Sequence, residues 1–136
     1  MSQVIIPRSM ANKILSQAQT NADVEICGLI GGRRGQLAAL YPVTNIAGDP
    51  AHIFEMDPAK QIDAMRHMRE SGEELAAIYH SHPTSPAIPS QIDIRQAAYP
   101  DALYLIVSLN TEGVLEMRGF RIVDRSVSEV ELVVAD

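Results

Sequence analysis

The sequence predicts an α/β fold, a mixed sheet with helices packed against it, and three observations predict it. Stretches with apolar residues at helical spacing interleave with short apolar runs, so helices and strands alternate along the chain. The run Leu75 to Tyr79 (LAAIY) is continuously apolar, with charges before it and His80 after it, as in a strand buried on both faces. Pro and Gly, eight of each, are spread along the 136 residues, and repeats, low-complexity tracts and charge blocks are lacking. Residues 1–136 therefore read as one domain. A domain of this length buries about two-thirds of its unfolded surface, enough for a real core.

The elements follow in order. Ser9 precedes Met10, Ile14, Leu15 and Ala18, which share one helical face, and Asn21 can end this first helix. Ile26 to Gly32 (ICGLIGG) is apolar and glycine-rich, Arg33-Arg34-Gly35 turns the chain, and Gln36 to Val43 continues extended, which together read as a hairpin. Ile53 to Met56 reads as a further short strand. Asp57-Pro58 has the form of an N-cap with proline at the first helical position. The helix it opens runs to about Ser71, where Gly72 stops it. Its residues Ile62, Met65 and Met68 are expected to face inward, and Asp63, Arg66, His67 and Arg69 outward. After the strand Leu75 to Tyr79 comes a proline-studded loop, 83–89, and Ser90 begins a short third helix that must end before Pro100. Ala102 to Leu109 and Gly113 to Val123 read as strands joined across Asn110 to Gly113, and Val127 to Val134 as a last strand.

Charge and composition exclude several functions. Eleven Lys+Arg stand against 17 Asp+Glu, a net charge of −6, which argues against a phosphate backbone or an anionic membrane surface as partner. Six aromatics, with no Trp, leave little to stack bases on. The longest apolar run, Ala102 to Val107, falls far short of the roughly 20 residues of a membrane span. The start, MSQVIIPRSM, has no basic segment followed by a long apolar stretch, so cytoplasmic residence is the expectation. A lone Cys27 makes neither an intramolecular disulfide nor a multi-thiolate zinc site, so any metal must be held by His and carboxylate.

The chemistry concentrates in IYHSHPTSPAIPSQID. His80 and His82 stand two apart at the end of a buried strand, so both point to one face while Ser81 points to the other. Asp93, on the first turn of the following helix, is within reach of the loop's return, and Pro83, Pro86 and Pro89 restrict that loop. Two imidazoles and one carboxylate leave a fourth position open on a tetrahedral zinc, the pattern of a catalytic site. Each signal alone has a plainer reading. Ser90-Gln-Ile-Asp93 is close to a capping box, an HxH pair at a strand end is often incidental, and Glu25 alone would be a solvated charge at a strand start. Other zinc patterns fail: Pro83 and Thr84 break the HxHxDH of metallo-β-lactamase-like hydrolases, Pro86 and Ala87 stand where a cupin needs its glutamate, and a deaminase needs a CxxC pair. Cys27 reads as a small buried residue, His52 and His67 as ordinary polar positions, and Met65 and Met68 as core. The Asn45 to Asp49 region follows a strand and is a candidate to border the cleft, a place that spacing alone does not show.

Taken in order, Glu25, then His80-Ser81-His82-Pro83, six residues, then Ser90-Gln91-Ile92-Asp93, the chain resembles the JAMM (MPN+) zinc metallopeptidases. Glu25 to Gly32 (EICGLIGG) is similar to the E-x-C-G-x-L-x-G opening of their stand-alone prokaryotic members, and PAIPS, Pro86 to Ser90, fits as well. The resemblance implies a JAMM/MPN, cytidine-deaminase-like architecture. It implies that His80, His82 and Asp93 hold Zn²⁺, that Glu25 is the general acid/base, and that Ser90 steadies the oxyanion. It further implies hydrolysis of the amide or isopeptide bond after the Gly-Gly tail of a ubiquitin-like or ThiS/MoaD-like sulfur-carrier protein, with an amino acid such as cysteine as one leaving group. A broader isopeptidase acting on lysine-linked modifiers and a non-catalytic MPN scaffold are the alternatives, and a homodimer is an open possibility.

Overall fold

In a computed structural model of the protein, which describes residues 3–110 and 116–136, the chain alternates strands and helices. The order is β1 (Gln3–Pro7), α1 (Arg8–Thr20), β2 (Cys27–Arg33), β3 (Gln36–Val43), α2 (Pro58–Glu70), β4 (Glu74–His82), α3 (Gln91–Gln96), β5 (Leu103–Ser108), β6 (Glu116–Val123) and β7 (Ser126–Ala135). The strands form one mixed sheet in the order β1-β7-β6-β5-β4-β2-β3. β4/β5 and β1/β7 run parallel, and the remaining neighbours are antiparallel. The hairpin β2/β3, the capped α2 and the short α3 thus stand where the sequence predicts them.

The two faces of the sheet have separate cores. On one, α1 buries Met10, Ala11, Ile14 and Ala18 against Ile30, Ala77, Tyr79 and Leu105. On the other, α2 buries Ala64 and Met68 against Cys27, Leu29, Ile78 and Tyr104. Each large apolar side chain so buried contributes roughly 1.5–3 kcal/mol. The alternation fixes the functional side of β4. Ala77 and Tyr79 face α1 and Ile78 faces α2, so a period of two carries His80 and His82 to the α2 face and Ser81 to the α1 face. Ser81 is fully buried there, and its Oγ accepts from the Ile26 N–H at 2.9 Å.

Gly28 is a close-approach glycine. It pairs in register with Tyr79, and a Cβ at position 28 would overlap the Tyr79 ring, whose hydroxyl donates to Gln17 at 2.7 Å. Gly72, at φ +72°, supplies the left-handed turn that ends α2.

Four details differ from the sequence reading. β1 carries no prediction, because only Ile6 of its five residues is buried and its partner β7 lies more than a hundred residues away. α1 starts at Arg8, with Pro7 as its N-cap residue, so Ser9 lies inside the helix. In α2 Ile62 is 70% exposed, Met65 is half-buried and the small Ala64 turns to the core with Met68. Ile53 to Met56 makes no strand, only an isolated bridge between Asn45 and Met56. The Asn45 side chain takes the Ile53 carbonyl and the Glu55 N–H that a ladder would use. The expected Asn110 to Gly113 turn and the first residues of the strand after it lie in part outside the described residues. Among those described, no helix is long and apolar enough to cross a membrane.

Candidate active site

The end of β4, the start of α3 and the residue two before β2 converge on one buried point. The site-facing Nε2 atoms of His80 and His82 lie 3.2 Å apart, and each lies 3.1 Å from Asp93 Oδ2. His80 and His82 are 1% and 3% exposed, and Glu25 is 3% exposed. Together Glu25, His80, His82 and Asp93 bring four ligating atoms within 4.8 Å of one another, the one such group among the described residues.

Local chemistry aims each group. His82 Nδ1 lies 2.7 Å from the Pro86 carbonyl, which can only accept, so Nδ1 carries a hydrogen and Nε2 is the atom left to meet Asp93 or a metal ion. This contact is what the loop after Pro83 contributes. Asp93 is the third residue of α3, where its N–H donates to Ser90 Oγ at 3.0 Å while its Oδ2 accepts the Ser90 N–H at 2.9 Å. The capping box is therefore real, and the carboxylate it orients is the same one that faces both imidazoles. Ser90 Oγ accepts in that box, which leaves its own hydrogen to donate elsewhere.

Two side chains given no role in the sequence reading complete the surroundings. Phe54 stacks on His80, ring centroids 4.6 Å apart and planes inclined by 27°. Asn45, on the stretch expected to border the cleft, donates from Nδ2 to the Glu25 carbonyl at 2.9 Å. An isolated Phe and an Asn after a strand carry no spacing signal, which is why their contacts are visible only in the fold.

The electrostatics are those of a cation site. Burial pushes the Glu25 carboxyl up to about 8, with His82 pulling down and Asp93 and Asp49 pushing further up. For Asp93 burial also pushes upward, but hydrogen bonds from His80, His82 and the Ser90 N–H overcome it and hold the carboxyl well below the usual range. Burial lowers His82, and the Asp93 hydrogen bond and charge with the Pro86 carbonyl outweigh it and raise it. Glu25 Oε1 and His80 Nδ1 are buried with no hydrogen-bond partner.

Zinc passes a geometric test at this point. Ligands about 2.0–2.1 Å from a tetrahedral zinc stand roughly 3.3 Å apart, and the His80–His82–Asp93 triangle has edges of 3.1, 3.1 and 3.2 Å. Two imidazoles and one carboxylate also make a borderline donor set that zinc accepts with a position to spare.

The other candidates stay apart from this centre. Cys27 is fully buried, its Sγ donates to the Val43 carbonyl at 3.3 Å, and burial, with Glu25 nearby, lifts its thiol to about 12, so it is no nucleophile. His52 pairs with Asp49 and His67 with Asp63, both on exposed positions.

Known proteins share both sequence and fold. A family model for prokaryotic homologs of the JAB domain matches residues 7–123. A CysO-cysteine peptidase of Mycobacterium tuberculosis is 32% identical over 128 residues, 93% of this chain and 87% of that protein. A desampylase of Haloferax volcanii is 31% identical over 113 residues, 79% of this chain and 81% of its own. The solution structure of a Desulfitobacterium hafniense protein superposes with a TM-score of 0.86 at 34% identity, covering 98% of this chain and 93% of that one. A JAB1/MPN domain protein from Archaeoglobus fulgidus shares the fold alone, with a TM-score of 0.66 at 20% identity and 100% of each chain covered.

Proposed function

The chain belongs to the prokaryotic homologs of the JAB domain, and on that premise we propose that it is a zinc metallopeptidase cleaving the bond after the Gly-Gly tail of a ubiquitin-like or sulfur-carrier protein. The observation that carries this reading is the triangle of His80 Nε2, His82 Nε2 and Asp93 Oδ2 with the unpartnered Glu25 carboxylate beside it. Residues 1–136 act in it as one domain. All five motif positions are filled, which sets aside the scaffold alternative.

In this reading His80, His82 and Asp93 hold the zinc. Bound zinc supplies Lewis acidity that brings a water's pKa toward ~7. Glu25 takes the proton of the attacking water at its free Oε1 and returns it to the leaving amine. Its Oε1, buried beside the centre and free of any hydrogen bond, is the atom left to carry the proton both ways. The Ser90 hydroxyl, already held by the Asp93 N–H, donates to the developing oxyanion.

The leaving group is an amino acid, cysteine foremost. The relative named CysO-cysteine peptidase, matched over 93% of this chain, supports that choice, whereas the desampylase supports the broader isopeptidase. A lone, unpaired Cys27 is in keeping with work in the cytoplasm. The test offers the zinc-loaded protein two substrates, a small carrier capped after Gly-Gly by cysteine and the same carrier linked to a lysine side chain, each followed by mass spectrometry. Faster release from the cysteine-capped carrier is expected. Faster release from lysine would establish the broader isopeptidase, and cleavage of neither would overturn the peptidase reading.

A further inference from the structure

Glu25 lies outside the sheet ladder, two residues before β2. Both of its backbone groups go to the segment between β3 and α2: its N–H donates to the Pro50 carbonyl at 2.7 Å and its carbonyl accepts from Asn45 Nδ2 at 2.9 Å. Asn45 Nδ2 also donates to the Ile53 carbonyl at 3.1 Å, and its Oδ1 accepts from the Ala47 and Glu55 N–H groups at 2.9 and 3.0 Å. A primary amide has two N–H groups and two lone pairs, so all four are spent. One side chain thus ties both limbs of the segment to each other and to Glu25.

The same segment reaches His80 through Phe54, which stacks on its ring at 4.6 Å. The two imidazoles are anchored differently. His82 is fixed through Nδ1 by the Pro86 carbonyl, whereas His80 Nδ1 is buried without a partner. The face of Phe54 stands in for the hydrogen bond that usually orients a ligating histidine.

We propose that residues 44–57 form a brace across the site, with Asn45 a positioning residue for Glu25 and Phe54 a positioning residue for the ring of His80. This rests on the roles given above to Glu25 and His80. Because Asn45 ties together the positions that flank Phe54, the base and one ligand are held in register by a single rigid piece of chain. Asn45→Asp keeps the two acceptor contacts but sets an oxygen against the Glu25 and Ile53 carbonyls. Phe54→Leu keeps an apolar side chain without a ring face, and Phe54 borders an open hollow of about 230 Å³, so the change forces no overpacking.

The experiment has one arm for each residue. Zinc loss to an excess of a chromophoric chelator is timed in wild type, Phe54→Leu, Phe54→Met and Phe54→Tyr. Loss about 10- to 100-fold faster without the ring, restored by Tyr, is expected; wild-type rates in both ring-free variants would overturn the role of Phe54. For Asn45→Asp, kcat on the capped carrier is expected to fall about 10²-fold with KM unchanged, and to fall little further when Glu25→Gln is already present. An equal loss in both backgrounds would overturn the role of Asn45. If wild type cleaves no carrier, the peptidase reading fails by itself while the brace is still read by zinc loss and by amide exchange at residues 24–27. That exchange is expected to quicken in Asn45→Asp, and an unchanged rate would contradict the brace.

Discussion

Ser90 and Asp93 cap each other. The Asp93 N–H meets Ser90 Oγ at 3.0 Å and the Ser90 N–H meets Asp93 Oδ2 at 2.9 Å, and that same Oδ2 lies 3.1 Å from both site histidines. The start of α3 and the site are therefore one structure. A helix cap and a place beside both histidines are compatible because the oxygen that accepts the Ser90 N–H has a further lone pair to offer.

Ser90→Ala removes both the cap and the hydroxyl donor. Stability is expected to fall by about 0.5–2 kcal/mol, and kcat by about 10²–10³-fold with zinc retained. Chemical denaturation, steady-state kinetics and elemental analysis on the same preparation check the three parts. A kcat loss no larger than the lost stability accounts for would remove Ser90 from the chemistry.

Glu25→Gln keeps shape and removes the carboxylate proposed to carry the proton. Activity is expected to fall about 10²–10⁴-fold while bound zinc stays near wild type. Loss of zinc together with activity would make Glu25 a ligand.

The raised pKa of Glu25 also makes a stability prediction for chelator-stripped protein. The folded carboxyl titrates near 8 and the unfolded one near 4.5, so between those values the folded state holds a proton that the unfolded state has released. The stabilisation from this group is full below 4.5 and is lost as pH rises through 8. Relative to Glu25→Gln, wild type is expected to lose on the order of 4 kcal/mol across that window. Urea melts at pH 5 and pH 9 measure the difference, and a constant difference would contradict the desolvated carboxyl.

Gly28→Ala drives a methyl into the Tyr79 ring between β2 and β4. A loss of about 1–3 kcal/mol is expected, read as a lower melting temperature with zinc stoichiometry unchanged.

Much of this was legible because it is local. The hairpin over residues 27–43, the Asp57-Pro58 helix start and the spacing of His80, His82 and Asp93 each depend on neighbours in sequence. Glu25 is the exception, far from the histidines in sequence, and it was legible only through the resemblance. What stayed hidden depends on long-range packing. β1 gains its meaning from β7 at the other end of the chain. In α2 the bulky Ile62 reads as core, yet it is 70% exposed and the small Ala64 shares the buried face with Met68. Asn45 and Phe54 acquire their contacts from how one loop folds over the site, which no periodicity encodes.

The most direct measurement is zinc content by elemental analysis of wild type and His82→Ala, purified without added metal. About one zinc per chain in wild type, lost in the variant, is the predicted result. No zinc in either protein, even after reconstitution, would contradict the metal centre on which the rest of the account stands.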